Sequence, residues 1–221
     1  MKNRKQSEYD RVDEFANQFG ISQLGIMANK TWLTDPKRLT FTLSRYKFVS
    51  KMLESQDKVL EIGCGDAWAS RIVRQVVKDI FFLDADEVLL DSAKFSHQDL
   101  PNKNFILHDV TTGPINDTFD SIFLLDVLEH VDPKDETQFM NSLYSMLRRN
   151  GIAIIGMPSL ESQSYANEAS KAGHVNCKSG QQFMNDMKQW FSNVFIFSMN
   201  DEVVHTGYSK MAHYLIALCI K

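Results

Sequence analysis

Residues 59–68 read VLEIGCGDAW, and the fold of the whole chain turns on them. Val59, Leu60 and Ile62 form an apolar run of strand type with Glu61 set into it, and Gly63, Cys64, Gly65 and Asp66 then break the run. A buried strand ending in two near-adjacent glycines predicts a tight turn in which backbone approaches a ligand closely, because no side chain stands in the way.

Working outward from this turn, strands and helices alternate. KVLEI (58–62), IFFLD (80–84), NFILHD (104–109), FDSIFLL (119–125) and GIAIIGMP (151–158) read as strands. Helices are expected over 66–77, over 87–97, and from Asp132-Pro133 to Arg148-Arg149, closed by Asn150-Gly151. Near-continuous apolar strands separated by helix-length spacers predict a parallel sheet covered on both faces, a doubly wound α/β fold. The tail departs from the rhythm. A helix over 179–191 is followed by strands at 193–200 and 212–220, with a connection too short and polar for a crossover. The expectation is a seven-stranded, mostly parallel sheet ending in an antiparallel hairpin, within one domain.

Before the sheet, residues 1–10 read as frayed and 11–57 as helical. Asp35-Pro36 reads as a helix start, a capping carboxylate followed by proline in the first turn. Leu39, Leu43, Tyr46, Val49 and Leu53 then make one apolar stripe. Lys37, Arg38, Arg45, Lys47 and Lys51 are either a solvated face or include arginines turned inward to an anion. Residues 1–57 are expected to form a lid and 58–221 the ligand-binding domain.

Composition narrows the classes. The 221 residues are 43% hydrophobic and 24% charged, ordinary values for a globular chain. A formal net charge of −4 argues against a general nucleic-acid binder. No apolar run approaches the ~20 residues of a membrane span, and the polar start MKNRKQSEYDR does not read as a signal peptide. Cys64, Cys177 and Cys219 are too dispersed for a disulfide framework or a CxxC metal site, so a reduced, cytoplasmic setting is expected.

On its own the GxG turn suits several ligands. An NAD site expects GxGxxG, yet position 68 is Trp and 66–70 hold no glycine. Glu61 at the strand end would repel a pyrophosphate and attract a cation. EIGCGDA (61–67) resembles the first motif of class I S-adenosylmethionine (SAM) dependent methyltransferases, with Ala67 at its last glycine position. DADEVLLDSAK (84–94) looks like the stretch that follows in that family, and FDSIFLLDVLEHV (119–131) is similar to its fourth-strand motif, the LEH pointing to the quinone-biosynthesis-like branch. The resemblance covers about residues 58–220 and implies a Rossmann-like fold, SAM as cofactor and methyl transfer.

The resemblance also implies roles. Glu61 would organise the turn and the ammonium side of SAM, and Gly63, Cys64 and Gly65 would meet its methionine moiety. Asp84, followed by Ala85, would hold the ribose hydroxyls, and Asp109 with the amide of Val110 would read the adenine edge. Leu125 would lie beneath the sulfonium, and Arg45 would meet the carboxylate.

For the acceptor, His174 and His130 are the catalytic candidates, since histidine titrates where a hydroxyl proton must be removed; His205 is a lesser one. With His213 these show no HxxxH-type spacing, so no metal is expected. Trp32, Arg38, Arg45 and Tyr46 are candidates on the lid. The loop over 158–178 offers Glu161, Gln163, Tyr165 and His174, a set suited to a sugar, nucleotide-sugar or similar polar small molecule. The expected partners are that acceptor and at most a second copy of the chain, with neither nucleic acid nor membrane. An NAD-dependent oxidoreductase, a non-catalytic methyltransferase-like scaffold and a macromolecular methyltransferase are the alternatives.

Overall fold

The computed structural model describes residues 4–221. Three helices come first: α1 (Arg4–Phe19), α2 (Ile26–Thr34) and α3 (Lys37–Met52). Helix is therefore present from Arg4, where fraying was expected; residues 1–3 lie outside the described residues. Gly20, at φ +68, closes α1 by donating its N–H to the Ala16 carbonyl, a left-handed stop that glycine accepts without strain. Asp35 does not cap α3 as expected. Its backbone N–H closes α2 on Thr31, and Pro36 occupies the cap position of α3 with no side-chain bond to the helix.

Eight strands follow: β1 (Lys58–Ile62), β2 (Asp79–Asp84), β3 (Phe105–Leu107), β4 (Phe119–Leu125), β5 (Leu147–Pro158), β6 (Asn193–Asn200), β7 (Val203–His205) and β8 (Tyr214–Ile220). They form one sheet in the order β3-β2-β1-β4-β5-β8-β6-β7. The first five are mutually parallel, while β8 inserts antiparallel between β5 and β6. The strand beyond the expected seven is β7, where the polar connection folds back on β6 for three residues.

The remaining helices are α4 (Arg71–Arg74), α5 (Glu87–Ser96), α6 (Glu136–Met146), α7 (Glu168–Gly173) and α8 (Gly180–Met187). Period-two alternation along each strand divides the core between two faces. Leu60, Ile62, Phe81, Leu83, Ile122, Leu124 and Ile155 pack beneath Phe139, Met140 and Leu143 of α6 and Phe183 and Met187 of α8. Val59, Ile80, Phe82, Phe123 and Ile154 pack against Tyr46, Val49 and Leu53 of the α3 segment, Val73 of α4 and Leu90 and Ala93 of α5. Within the expected lid, α3 is thus a core helix that covers one face of the sheet.

Three other boundaries shift, each for a local reason. Helix begins at Arg71 and not at 66, because Ala67 adopts φ +49 and Asp66 is drawn away to another helix. The α6 helix ends at Met146 because Leu147 pairs with Phe119 and extends β5 backward through Asn150, itself at φ +61. The 158–178 loop is not structureless: it holds a 3-10 turn over Glu161–Tyr165 and α7, whose first turn is capped by the Asn167 side chain on the Ser170 N–H.

Candidate active site

Because β1 to β5 are parallel, their carboxyl ends share one edge, where ligands of such sheets bind. At the end of β1, Gly63 has φ +66 and Gly65 φ +55. A Cβ on Gly63 would stand 2.4 Å from Val127 Cγ2, so the position excludes any side chain on steric as well as torsional grounds. The turn is tied to β2: the N–H groups of Gly63 and Cys64 donate to the Leu83 carbonyl, and the Gly65 N–H donates to Asp84 Oδ2 at 2.8 Å. Asp84 Oδ1 accepts from the Asp86 N–H at 2.9 Å, and each oxygen keeps a free lone pair. Ala85, next to it, is exposed, while Cys64 is buried with its thiol pushed up by burial. Ala67 sits left-handed where the resembled motif has glycine, and buried His97 donates from Nε2 to its carbonyl at 2.9 Å.

Glu61 is 1% exposed and accepts from the Tyr46 hydroxyl at 2.6 Å, joining β1 to α3. Burial pushes its carboxyl up to about 8, against the lowering effect of the Ser70 and Tyr46 hydroxyls. One residue earlier in α3, Arg45 faces inward. Its guanidinium meets Asp126 Oδ2 at 2.7 Å and lies 3.7 Å from the centre of the Tyr214 ring. Burial opposes the charge on Arg45, but Asp126 and Tyr214 hold it above its usual range. The anion that Arg45 meets in this structure is a side chain of the chain itself. Asp126, directly after β4, is at φ +59, which Asp tolerates better than most residues.

The α2 helix lies on the glycine turn. Asp66 Oδ2 accepts from the Ala28 N–H at 2.8 Å, so a residue of the turn caps a helix 38 positions earlier in the chain. Gly25 is packed so tightly on Asp66 that a Cβ there would overlap the carboxylate, and Met27 Sδ would be 3.0 Å from a Cβ on Gly65.

Beyond β4, a 3-10 turn over Leu128–His130 brings Glu129 and His130 beside His174, the cap residue ending α7. The two imidazoles are 5.1 Å apart, edge to face. His130 Nδ1 pairs with the Gly173 carbonyl and His174 Nδ1 with Gln163 Oε1, both at 2.8 Å. Both partners are acceptors, so Nδ1 carries the proton in each ring and Nε2 presents a lone pair. Burial, then His130, keeps the His174 imidazole below its usual range. Glu129 is 0% exposed, and neither carboxylate oxygen meets a donor from another residue among the described residues. Burial, then Asp126, pushes its carboxyl well up.

The segment that carries His174 is fastened in place. The Asn176 N–H donates to the Glu129 carbonyl, and its side chain and Lys178 Nζ both donate to Glu136 Oε2. Lys178 is buried between Glu136 and Asp186.

The other candidates fall as follows. Asp109 caps the turn after β3, with Oδ1 on the Thr111 N–H and hydroxyl, and Val110 behind it is buried. Leu125 is buried at the end of β4. Arg38 is exposed but near enough to act electrostatically on His174. Trp32 and Tyr165 point to solvent, the latter 91% exposed. Glu161 begins the 3-10 turn that also holds Gln163. His205 is committed to its hairpin, with Nε2 on Asn200 Oδ1 and Nδ1 accepting from the Gly207 N–H. The expectation of no metal rested on spacing along the chain, whereas folding gathers Glu129, His130 and His174 from two separate segments. Asp66, Asp126, Glu129 and Tyr214 were not singled out as site residues from the sequence. A carboxylate inside the apolar run DVLEHV was the signal available for Glu129.

The chain is similar to known proteins in sequence and in fold. Residues 60–155 match the family described as a methyltransferase domain. Over 100 residues, 44% of this chain, the sequence is 31% identical to a malonyl-acyl-carrier-protein O-methyltransferase from Ilyobacter polytropus, and the match spans 37% of that relative's length. A Thermotoga maritima SAM-dependent methyltransferase, described as a possible histamine N-methyltransferase, superposes with a TM-score of 0.64 at 18% identity, covering 94% of this chain and 96% of its own. The N-methyltransferase NodS from Bradyrhizobium japonicum, solved with S-adenosyl-L-homocysteine (SAH), gives 0.59 at 16% identity, covering 86% and 90%. Among the described residues no helix is long and apolar enough to cross a membrane.

Proposed function

We propose, from the premise that this chain carries a class I SAM-dependent methyltransferase domain, that it methylates a hydroxyl of a small polar acceptor, of the size of a sugar or nucleotide-sugar. SAM supplies an electrophilic methyl group on a sulfonium centre. Gly63, Cys64 and Gly65 would take its methionine end, Asp84 and Ala85 the ribose, and Asp109 with the Val110 amide the adenine. The fit rests on the cradle: Gly63 is a position a Cβ would close, and Asp84 keeps acceptor capacity for charge-assisted bonds to hydroxyls. Glu61 would tune the cradle from behind through Tyr46, and Arg45 with Asp126 would border the methionine carboxylate. Of residues 1–57, the part before α3 would act as the lid over this edge, with α2 seated on the glycine turn.

The observation that carries the acceptor assignment is the pair of histidines beside the end of β4. Their protons are fixed on Nδ1 and their Nε2 lone pairs are free to engage a hydroxyl whose proton must leave. Holding that hydroxyl in line with the methyl group supplies much of the rate, since effective molarities reach about 10⁵ M or more. No nucleic-acid or membrane partner enters this reading, which sets the chain in the cytoplasm as a monomer or homodimer.

Calorimetric titration with SAM, SAH and NADH tests the cofactor, and SAH release in a screen of hydroxylated metabolites tests the reaction. His174→Ala should leave SAH affinity unchanged and depress turnover. Loss of SAH binding in that variant would contradict the acceptor-side placement, and binding of NADH in place of SAH would overturn the proposal.

A further inference from the structure

We infer that Glu129, His130 and His174 form a divalent-metal site that holds the acceptor oxygen. The use assigned to the ion rests on the methyl-transfer reading; its binding does not. One ligand atom from each of the three residues lies within 4.8 Å of the others. Two donors on one ion at 2.0–2.2 Å are about 3.3–3.6 Å apart in tetrahedral geometry, so closure around an ion asks the widest pair to approach by up to about 1.5 Å, within reach of side-chain rotation.

The surroundings are those of a metal site. Both histidines donate Nδ1–H to a fixed carbonyl, the outer arrangement that orients an imidazole for binding through Nε2. The direction of the Gln163 amide is set independently, because its Nε2 donates to the Ser159 carbonyl at 3.2 Å and so turns Oε1 toward His174. Glu129 is fully buried, has a carboxylate oxygen beside the two imidazoles and meets no donor from another residue among the described residues, a condition that buried carboxylates seldom tolerate. Charge points the same way. Arg45, the nearby cation, is spent on Asp126 at 2.7 Å, so a cation beside Glu129 would have to come from elsewhere. The ion pairs of Lys178 with Glu136 and Asp186 are self-contained and do not serve it.

Two imidazoles and a carboxylate suit first-row ions from Mn²⁺ to Zn²⁺ better than Ca²⁺ or Mg²⁺. Three protein ligands also leave coordination positions open, as catalytic sites do. An acceptor hydroxyl on such a position is acidified and releases its proton to solvent. Its lone pair then forms the O–C bond while the C–S bond breaks, the bonding pair staying on sulfur. The products are a methyl ether, SAH and one proton. In this arrangement the histidines act as ligands, and the ion replaces a protein general base.

Co²⁺ is the probe, since bound Co²⁺ gives visible bands that the aqueous ion at the same concentration lacks. The 221-residue chain, stripped with a chelator, should take up one Co²⁺ per chain. Glu129→Gln and His174→Gln should each weaken that uptake at least tenfold while SAH affinity, read by calorimetry, stays as in the parent. Should the buried Glu129 variant fail to fold, the partly exposed His174 variant carries the test. Absence of Co²⁺ uptake, or uptake undiminished in a folded variant, would overturn the site. SAH binding without Co²⁺ uptake would therefore refute this inference alone, and Co²⁺ uptake without SAH binding would refute the cofactor reading alone.

Discussion

Replacing Asp66 with alanine isolates the attachment of α2 to the glycine turn. The carboxylate is 7% exposed and makes a 2.8 Å bond to the Ala28 N–H and a 3.2 Å bond to the Trp68 N–H. The first is a helix cap supplied from 38 residues away, worth about 1–2 kcal/mol. With nine residues, α2 is too short to persist once its contacts are lost. A loss of about 2 kcal/mol raises the open population of α2 about 30-fold, since 1.4 kcal/mol is a factor of ten. Tryptic cleavage after the exposed Lys30, within α2, should accelerate by the same factor when opening is fast relative to cutting. Asp66→Asn keeps an acceptor oxygen and should accelerate cleavage by less than tenfold. Equal cleavage in the parent and Asp66→Ala would refute the reasoning. So would acceleration at Lys30 that merely tracks cleavage throughout the sheet, because α2 would then have no independent attachment to lose.

Gly63→Ala adds a left-handed alanine, about 1–2 kcal/mol, to an overlap with Val127 Cγ2 worth a further ~1–3 kcal/mol; the urea midpoint should fall, and Val127→Ala in the same chain should restore part of it. Asp84→Ala removes the carboxylate that receives the Gly65 and Asp86 amides, so SAM binding should weaken by more than ~1 kcal/mol by calorimetry; an unchanged isotherm would remove the ribose assignment. Glu61 has its folded-state pKa raised from 4.5 to about 8, so the folded state binds the proton more tightly than the unfolded chain does. Its stabilising contribution is full below pH 4.5 and is lost as pH rises through about 8, a change on the order of 3–4 kcal/mol between pH 5 and 8. Relative to Glu61→Gln, the parent should lose stability across that window in denaturant titrations; parallel curves would show that Glu61 titrates normally.

Residues whose environment is set locally were the ones the sequence disclosed. The apolar runs of β1 and β4 match the expected strands at both ends, because a strand buried on two faces must be continuously apolar; β6, half-exposed, also matches at both ends. The glycine turn was equally legible, since φ values of +66 and +55 leave few residue choices. Contacts between distant segments were not. That Asp66 would cap α2, that Arg45 would spend its charge on Asp126, and that His174 would arrive beside His130 all depend on topology and carry no local pattern. The same holds for the helix expected over 66–77, where spacing was favourable but Ala67 is held left-handed with His97 bonded to its carbonyl.

The placement of the two shortest strands governs how the molecule meets its own kind. Both margins of the sheet are three residues long, Phe105–Leu107 on one side and Val203–His205 on the other. An unpaired margin is a template on which a neighbouring chain can add a strand, and its reach scales with its length. Here the long apolar strands β4, β5 and β8 are all interior, with a partner on each side. The backbone left open is short, residues 193–197 of β6 beyond the reach of β7 and residues 79–81 of β2 beyond that of β3, so edge-to-edge growth should be weaker than for a sheet ending in β5 or β8.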